Sequence, residues 1–294
     1  MTPAVVTDRE NNDPRWALIK NKANEAKAVR AFGLFRDADV EPILIKGLAA
    51  AAFYPPDKFR DSIDLDLAVP ANQLEQAGRI VVSAAADGLA IDLHKGLRHL
   101  DPLPWDELFS RSTAVEFDGG SVRVLCPEDH LRVISVHWLT DGGANRDRLW
   151  DIYYAVANRP PSFDWQRALN DVDKRRRRYT VCAILMAHRA FGLDVTGTPI
   201  ETAIGSLPEW IIRTIENEWS SETAFRALHA SVEDWPTFWR QVKKRFPPNP
   251  ITATVLMNGD LDARTQVFYQ IGTSLARIGP SIKNVATSLL HKFR

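Results

Sequence analysis

The stretch ILIKGLAAAAFYPPDKFRDSIDLDLAV, residues 43–69, decides how the first half of this 294-residue chain folds. Ile43 to Lys46 is a short apolar run closed by Gly47, which reads as a strand entering a turn. Gly47 to Tyr54 is Ala-rich and stops at Pro55-Pro56, which predicts a short helix. Ser62 to Val69 alternates and is rich in β-compatible residues, which predicts a strand. On that strand Asp64 and Asp66 are two residues apart and share a face, while Ile63, Leu65 and Leu67 face a core. Two carboxylates this close repel unless a cation lies between them or one is protonated. A divalent cation such as Mg²⁺ resolves the conflict, because it prefers oxygen ligands and takes few of them from protein. The competing reading is a strand whose polar face is simply solvated.

The neighbouring text extends the pattern in both directions. Upstream, Trp16 to about Asp39 carries apolar residues at helical spacing. Downstream, Pro70 to Ala86 reads as a helix with Pro near its start and Asp87-Gly88 at its end. LAIDLHK (89–95) alternates again and predicts a second strand. If it pairs beside 62–69, Asp92 adds a third carboxylate to the same face, with His94 two residues on. AVEFDGGSVRVLC (114–126) is a hairpin around Asp118-Gly119-Gly120. The Lys46-Gly47 step lets backbone approach a ligand, and Arg60 is placed to pair with a phosphate oxygen. Together these residues predict a site for a triphosphate and a metal ion.

After Cys126 the text becomes almost wholly helical, starting with PEDHLRVISVHWL, where Pro127 and two acidic residues suit a first turn. The expected organisation is therefore α+β: a catalytic α/β unit with a mixed sheet over 1–126, its first 14 residues a loose tail, then a helical domain over 127–294 that shapes the acceptor site. His130 and His137 are seven apart on one predicted helix, whereas a metal pair would use i and i+4. His137 is expected to pack or hydrogen-bond at the junction of the two units and to reach the nucleotide. Arg148 and Asp151 read as an exposed ion pair around a buried Trp150. The run Lys174 to Arg178 reads as a solvated helix face, with a patch for a polyanion as the sharper alternative. Trp210, Trp219, Trp235 and Trp239 read as helix-packing residues, and the last helix, 273–293, as amphipathic and basic.

Composition bounds the rest. The chain is 45% hydrophobic and 25% charged, and 37 basic residues balance 37 acidic ones, so no global field argues for nucleic acid or an anionic membrane. Its 2 cysteines lack metal-like spacing, which fits a reduced, cytoplasmic protein. No stretch approaches the roughly 20 apolar residues of a membrane span, and the N-terminal text does not read as a signal peptide. No Walker loop, GxSxG, Cys/His zinc pattern or GxGxxG occurs.

The ordered set Lys46-Gly47, Arg60, Asp64/Asp66 and Asp92/His94 resembles the uncharacterised nucleotidyltransferase family of the polymerase-β-like superfamily. HLRVISVHWL followed by RDRLWDIYYAV resembles it too, and the likeness covers about residues 30–160. The resemblance implies a minimal nucleotidyltransferase core and an NTP substrate. It implies Mg²⁺ (or Mn²⁺) on Asp64, Asp66 and Asp92, with Asp92 helping to activate the attacking group. Lys46, Gly47, Arg60, His94 and His137 make up the expected nucleotide-binding set. The chain departs from the superfamily where a glycine–serine pair is usual, because Leu48 follows Gly47; Lys46 is the candidate replacement. The acceptor is open. A small molecule or peptide is favoured over nucleic acid, a toxin-like enzyme modifying tRNA or protein is the alternative, and a non-catalytic NTP-binding module is a third.

Overall fold

Helix α1 (Pro14–Arg36) buries Ala28, Ala31, Phe32 and Phe35 completely. That spacing puts all four side chains on one stripe of the helix, against a sheet. The computed structural model describes residues 14–60, 62, 64–97, 99–221 and 246–276, and the fold is α+β. Within those residues the chain forms two units. The first runs to Ile134 and resumes over Trp150–Val172; the second takes Ser135–Leu149 and continues from Asp173.

The first unit holds a five-stranded mixed sheet. In chain order its strands are β1 (Ile43–Leu44), β2 (Leu65–Val69), β3 (Ile91–Lys95), β4 (Thr113–Phe117) and β5 (Gly120–Val124), and in space they lie in the order β3-β2-β1-β5-β4. β2 is parallel to β3 and antiparallel to β1, β1 is parallel to β5, and β4–β5 is the expected hairpin. Helix α2 (Leu48–Ala51) follows β1, and α3 (Leu74–Ala86) joins β2 to β3 after a 3₁₀ turn at Ala71–Gln73. A helix between two parallel strands is the usual crossover. Leu44, Leu65, Leu67 and Val69 share their core with the apolar face of α1 and with Ala77 and Ala84 of α3. Helix α4 (Trp105–Arg111) leads into the hairpin.

Two predicted strands come out shorter than the text suggests. The first keeps only two residues. The second begins at Leu65 instead of Ser62, leaving Asp64 on an exposed bend. Ser62 Oγ donates to the Asp64 carbonyl at 2.9 Å, a local side-chain bond that competes with a ladder.

Helices follow the hairpin: α5 (Pro127–Thr140), α6 (Leu149–Ala157), α7 (Trp165–Asn170), α8 (Lys174–Phe191), α9 (Glu209–Ser220) and α10 (Pro250–Leu256). In the second unit Trp219 Nε1 donates to the Gly143 carbonyl at 2.8 Å and Trp210 Nε1 to that of Leu261 at 3.2 Å, so both indoles tie elements together. Trp235, Trp239 and most of the expected last helix lie outside the described residues. The basic run is partly internal. Arg176 is buried, and Arg178 makes a two-pronged pair with Asp262 at 2.9 and 3.0 Å. Cys126 and Cys182 are both free and buried. No described helix is long and apolar enough to cross a membrane.

Candidate active site

Register builds the site. Because β2 and β3 are parallel with Asp66 opposite Asp92 and Ala68 opposite His94, alternation puts Asp66, Asp92 and His94 on one face. Nε2 of His94 stands 3.2 Å from Asp66 Oδ1 and 3.2 Å from Asp92 Oδ2. Lys46, two residues past the end of β1, places Nζ 2.8 Å from the same Asp66 oxygen. One oxygen of each carboxylate and one ring nitrogen lie within 4.8 Å of one another. Burial pushes the Asp66 carboxyl up, but the hydrogen bond with His94 and the charge of Lys46 outweigh it and hold the group below the usual carboxylate range. Asp66 is therefore an anion. Its side chain is 11% exposed and that of Asp92 54%, so the set has one dry wall and one open wall.

Asp64, exposed on the bend, stands outside that ligand set. Gly47 has φ +59°, and a Cβ there would lie 2.6 Å from Ser62 Oγ and 3.7 Å from Arg60 Nη1. The glycine is thus required twice, by its backbone angle and by the neighbours on that side. It also brings a hydroxyl next to the Lys46-Gly47 step from residue 62, which replaces nothing in the sequence of the step itself and was invisible there.

Arg60 does not stand open to a ligand. It is buried, and its Nε and Nη2 donate to Asp151 Oδ1 and Oδ2 at 3.1 and 2.8 Å. Tyr54 also donates to Asp151 Oδ1, at 2.7 Å. Burial pushes the Asp151 carboxyl up against the pull of Arg60, while burial and the Asp151 charge push the Tyr54 phenol well above its ordinary value. This corrects the expected exposed pair of Arg148 with Asp151: the aspartate turns inward, because α6 buries its Leu149, Asp151 and Ile152 side. Next to this pair His130 is buried, stacks on Phe53 at 5.4 Å, and has no hydrogen-bond partner at Nε2. Burial and the nearby Arg60 charge lower its pKa to about 3, so it is a neutral packing residue. His137 belongs to the second unit, where its Nε2 lies 3.5 Å from Asp141.

The C-terminal ends of β2 and β3 open onto a cavity of about 350 Å³ lined by Pro70, Lys95, Gly96, Asp101, Trp105 and Leu108 among others. Asp101 is anchored there, accepting from Arg132 Nε at 2.8 Å and from the Leu103 amide at 3.0 Å. The composition of the loop gave no sign of this floor.

Residues 80–192 match the family model described as an uncharacterised nucleotidyltransferase. The matched segment takes in Asp92 and His94 on β3, His130 on α5 and Asp151 on α6, and it ends at the residue after α8. Lys46, Gly47, Arg60, Asp64 and Asp66 precede it, so what joins them to the nucleotidyltransferase segment is the strand pairing and the Arg60–Asp151 ion pair. No curated protein and no solved structure matches the chain. Nucleotidyltransferases use divalent metals, and the donor set fits one: two carboxylates are hard oxygen ligands, and a single imidazole nitrogen is compatible with Mn²⁺.

Proposed function

We propose that the first unit transfers a nucleotidyl group from an NTP to an acceptor, with Mg²⁺ or Mn²⁺ held by Asp66, Asp92 and His94. The single observation that carries this reading is the in-register placement of Asp66 against Asp92, with His94 and Lys46 on the same oxygen. When bound, the cation neutralises charge that develops around the α-phosphate and the departing pyrophosphate. Lys46 exchanges its Asp66 contact for a phosphate oxygen. Gly47 gives the triphosphate a close approach to backbone, with the Ser62 hydroxyl beside it. Asp92, the more exposed carboxylate, accepts the proton of the attacking acceptor hydroxyl. The acceptor oxygen bonds to the α-phosphorus, the α–β phosphoanhydride bond breaks, and its electron pair leaves with pyrophosphate.

Arg60 acts by holding the Gly47 loop through Asp151. The acceptor is a small molecule or a peptide end that enters the cavity at the ends of β2 and β3, whose volume suits such a ligand. The enzyme works in the cytoplasm.

The test is transfer of label from each α-labelled NTP, with Mg²⁺ or Mn²⁺, into small-molecule, peptide, protein and RNA fractions. Asp66→Asn and Asp92→Asn are expected to lose at least about a hundredfold in turnover with unchanged circular dichroism. Full activity in Asp66→Asn, or no transfer to any fraction, sinks the proposal.

A further inference from the structure

The donors of the carboxylate set are unequal, and the inequality bears on which cation they take. Asp66 and Asp92 lie opposite each other on parallel strands, and His94 follows Asp92 by two on the same face, so the backbone ladder fixes all three. His94 Nε2 is 3.2 Å from Asp66 Oδ1 and 3.2 Å from Asp92 Oδ2. Adjacent corners of an octahedron with bonds of about 2.1 Å are roughly 3 Å apart. A cation among these atoms therefore keeps the spacing that the strands already impose. The third donor is an imidazole nitrogen, where a set of three carboxylates has an oxygen. Charge is depleted as well. The Lys46 ammonium lies 2.8 Å from Asp66 Oδ1 with its side chain 9% exposed, so solvent screens it weakly. Two carboxylates and one ammonium leave a single negative charge to face the cation. Asp92 and His94 form the open wall, with side chains 54% and 27% exposed, and water or a ligand oxygen reaches the remaining coordination positions there.

We propose that His94 makes this centre a Mn²⁺ site and discriminates against Mg²⁺. The proposal rests on the nucleotidyltransferase reading and deepens it by naming the resident cation and the residue that selects it. Mg²⁺ is a hard ion that sheds water reluctantly and is held by oxygen ligands and their charge. This set offers it two carboxylates, one of them already paired with Lys46, and a nitrogen that it uses poorly. Mn²⁺ is the first-row ion that suits carboxylate and water ligands, and as a transition ion it also takes an imidazole. The two carboxylates thus make the site fit for either cation, and the nitrogen decides between them. Lys46 sharpens the choice, because it removes charge on which Mg²⁺ depends and leaves the nitrogen contact untouched.

The experiment is a Mn²⁺ titration of the full chain read by electron paramagnetic resonance, with Mg²⁺ as competitor. It is run alone and with inorganic tripolyphosphate, which brings no nitrogen of its own. Bound Mn²⁺ is expected to show nitrogen hyperfine coupling in its spin-echo modulation; a histidine that only hydrogen-bonds to the carboxylates gives none. His94→Gln and His94→Asp each exchange the nitrogen for an oxygen, the first without charge and the second with one. Both are expected to abolish the coupling and to lower the ratio of Mn²⁺ to Mg²⁺ affinity at least about tenfold, with unchanged circular dichroism. Only His94→Asp raises the Mg²⁺ affinity; should it fail to fold, His94→Gln carries the test. Wild-type Mn²⁺ without nitrogen coupling, or an affinity ratio that the folded variants leave unchanged, overturns the role of His94 alone, since label transfer tests the wider reading separately. If the wild-type chain binds neither cation, with or without tripolyphosphate, the nucleotidyltransferase reading falls and takes the metal choice with it.

Discussion

Acid should weaken this protein through His130, and the size of the effect follows from its burial. The ring is 1% exposed, packs on Phe53 and leaves Nε2 without a partner. Burial first, and the Arg60 charge second, lower its pKa to about 3. In the unfolded chain the group titrates near 6.5. Above that pH both states hold a neutral imidazole and the group has no effect on stability. As pH falls below it, the unfolded state binds a proton that the folded state refuses, so stability drops, and the loss continues until pH reaches the folded value. At pH 5 the unfolded form is favoured by about 1.5 pH units of unmatched protonation, or about 2 kcal/mol relative to pH 8. That figure is insensitive to the native value as long as it stays below about 4.

The assay is urea unfolding at pH 8 and pH 5 for the wild type and His130→Leu. Leucine removes a polar atom that bonds to nothing, so at pH 8 the two proteins should agree within about 1.5 kcal/mol. At pH 5 the variant should be relatively more stable by about 2 kcal/mol. Parallel stability curves for the two proteins between these pH values would refute the reasoning.

The Arg60–Asp151 pair predicts a strong non-additivity. Arg60→Met strands a buried carboxylate and should cost about 3–5 kcal/mol, whereas Arg60→Met with Asp151→Leu should recover a large part of it; additive single effects in denaturant unfolding would count against a coupled pair. Gly47→Ala should destabilise by at least about 1–3 kcal/mol from the positive φ alone. Adding Ser62→Gly should return only part of that loss, because it clears the 2.6 Å overlap but not the backbone strain.

Much of the fold is legible in the sequence because period and punctuation agree. The hairpin is written in Asp118-Gly119-Gly120, the α1 stripe in Ala28, Phe32 and Phe35, and the two carboxylate-bearing strands in the alternation of 64–67 and 91–94. The parallel pairing of β2 with β3 follows from the helix between them. What escapes is set by contacts across long chain separations. Arg60 and Asp151 are 91 positions apart, and nothing local to either marks a buried partner; a charged residue in a polar-looking run reads as surface until its mate is seen. Asp64 shows the opposite failure. Its spacing from Asp66 is right for one face of a strand, but the Ser62 side chain bonds the Asp64 carbonyl and the ladder starts one residue later. The third donor came instead from His94.

Charge explains why the chain keeps two polar clusters of different character a few residues apart. Arg60 with Asp151 sums to zero and can be taken out of water, provided both hydrogen-bonding forks are filled, as the two-pronged contact and the Tyr54 hydroxyl ensure. Asp66, Asp92 and Lys46 sum to minus one, and one side of that set stays open. A fully dry site could not hold that residual charge. On the proposed reading, a cation of charge two would turn the set to plus one, which suits a polyanion, and a triphosphate arriving there would compete with Asp66 for Lys46. Metal and nucleotide binding would then be coupled through one ammonium group. The buried pair is spared that exchange, because its charges already satisfy each other.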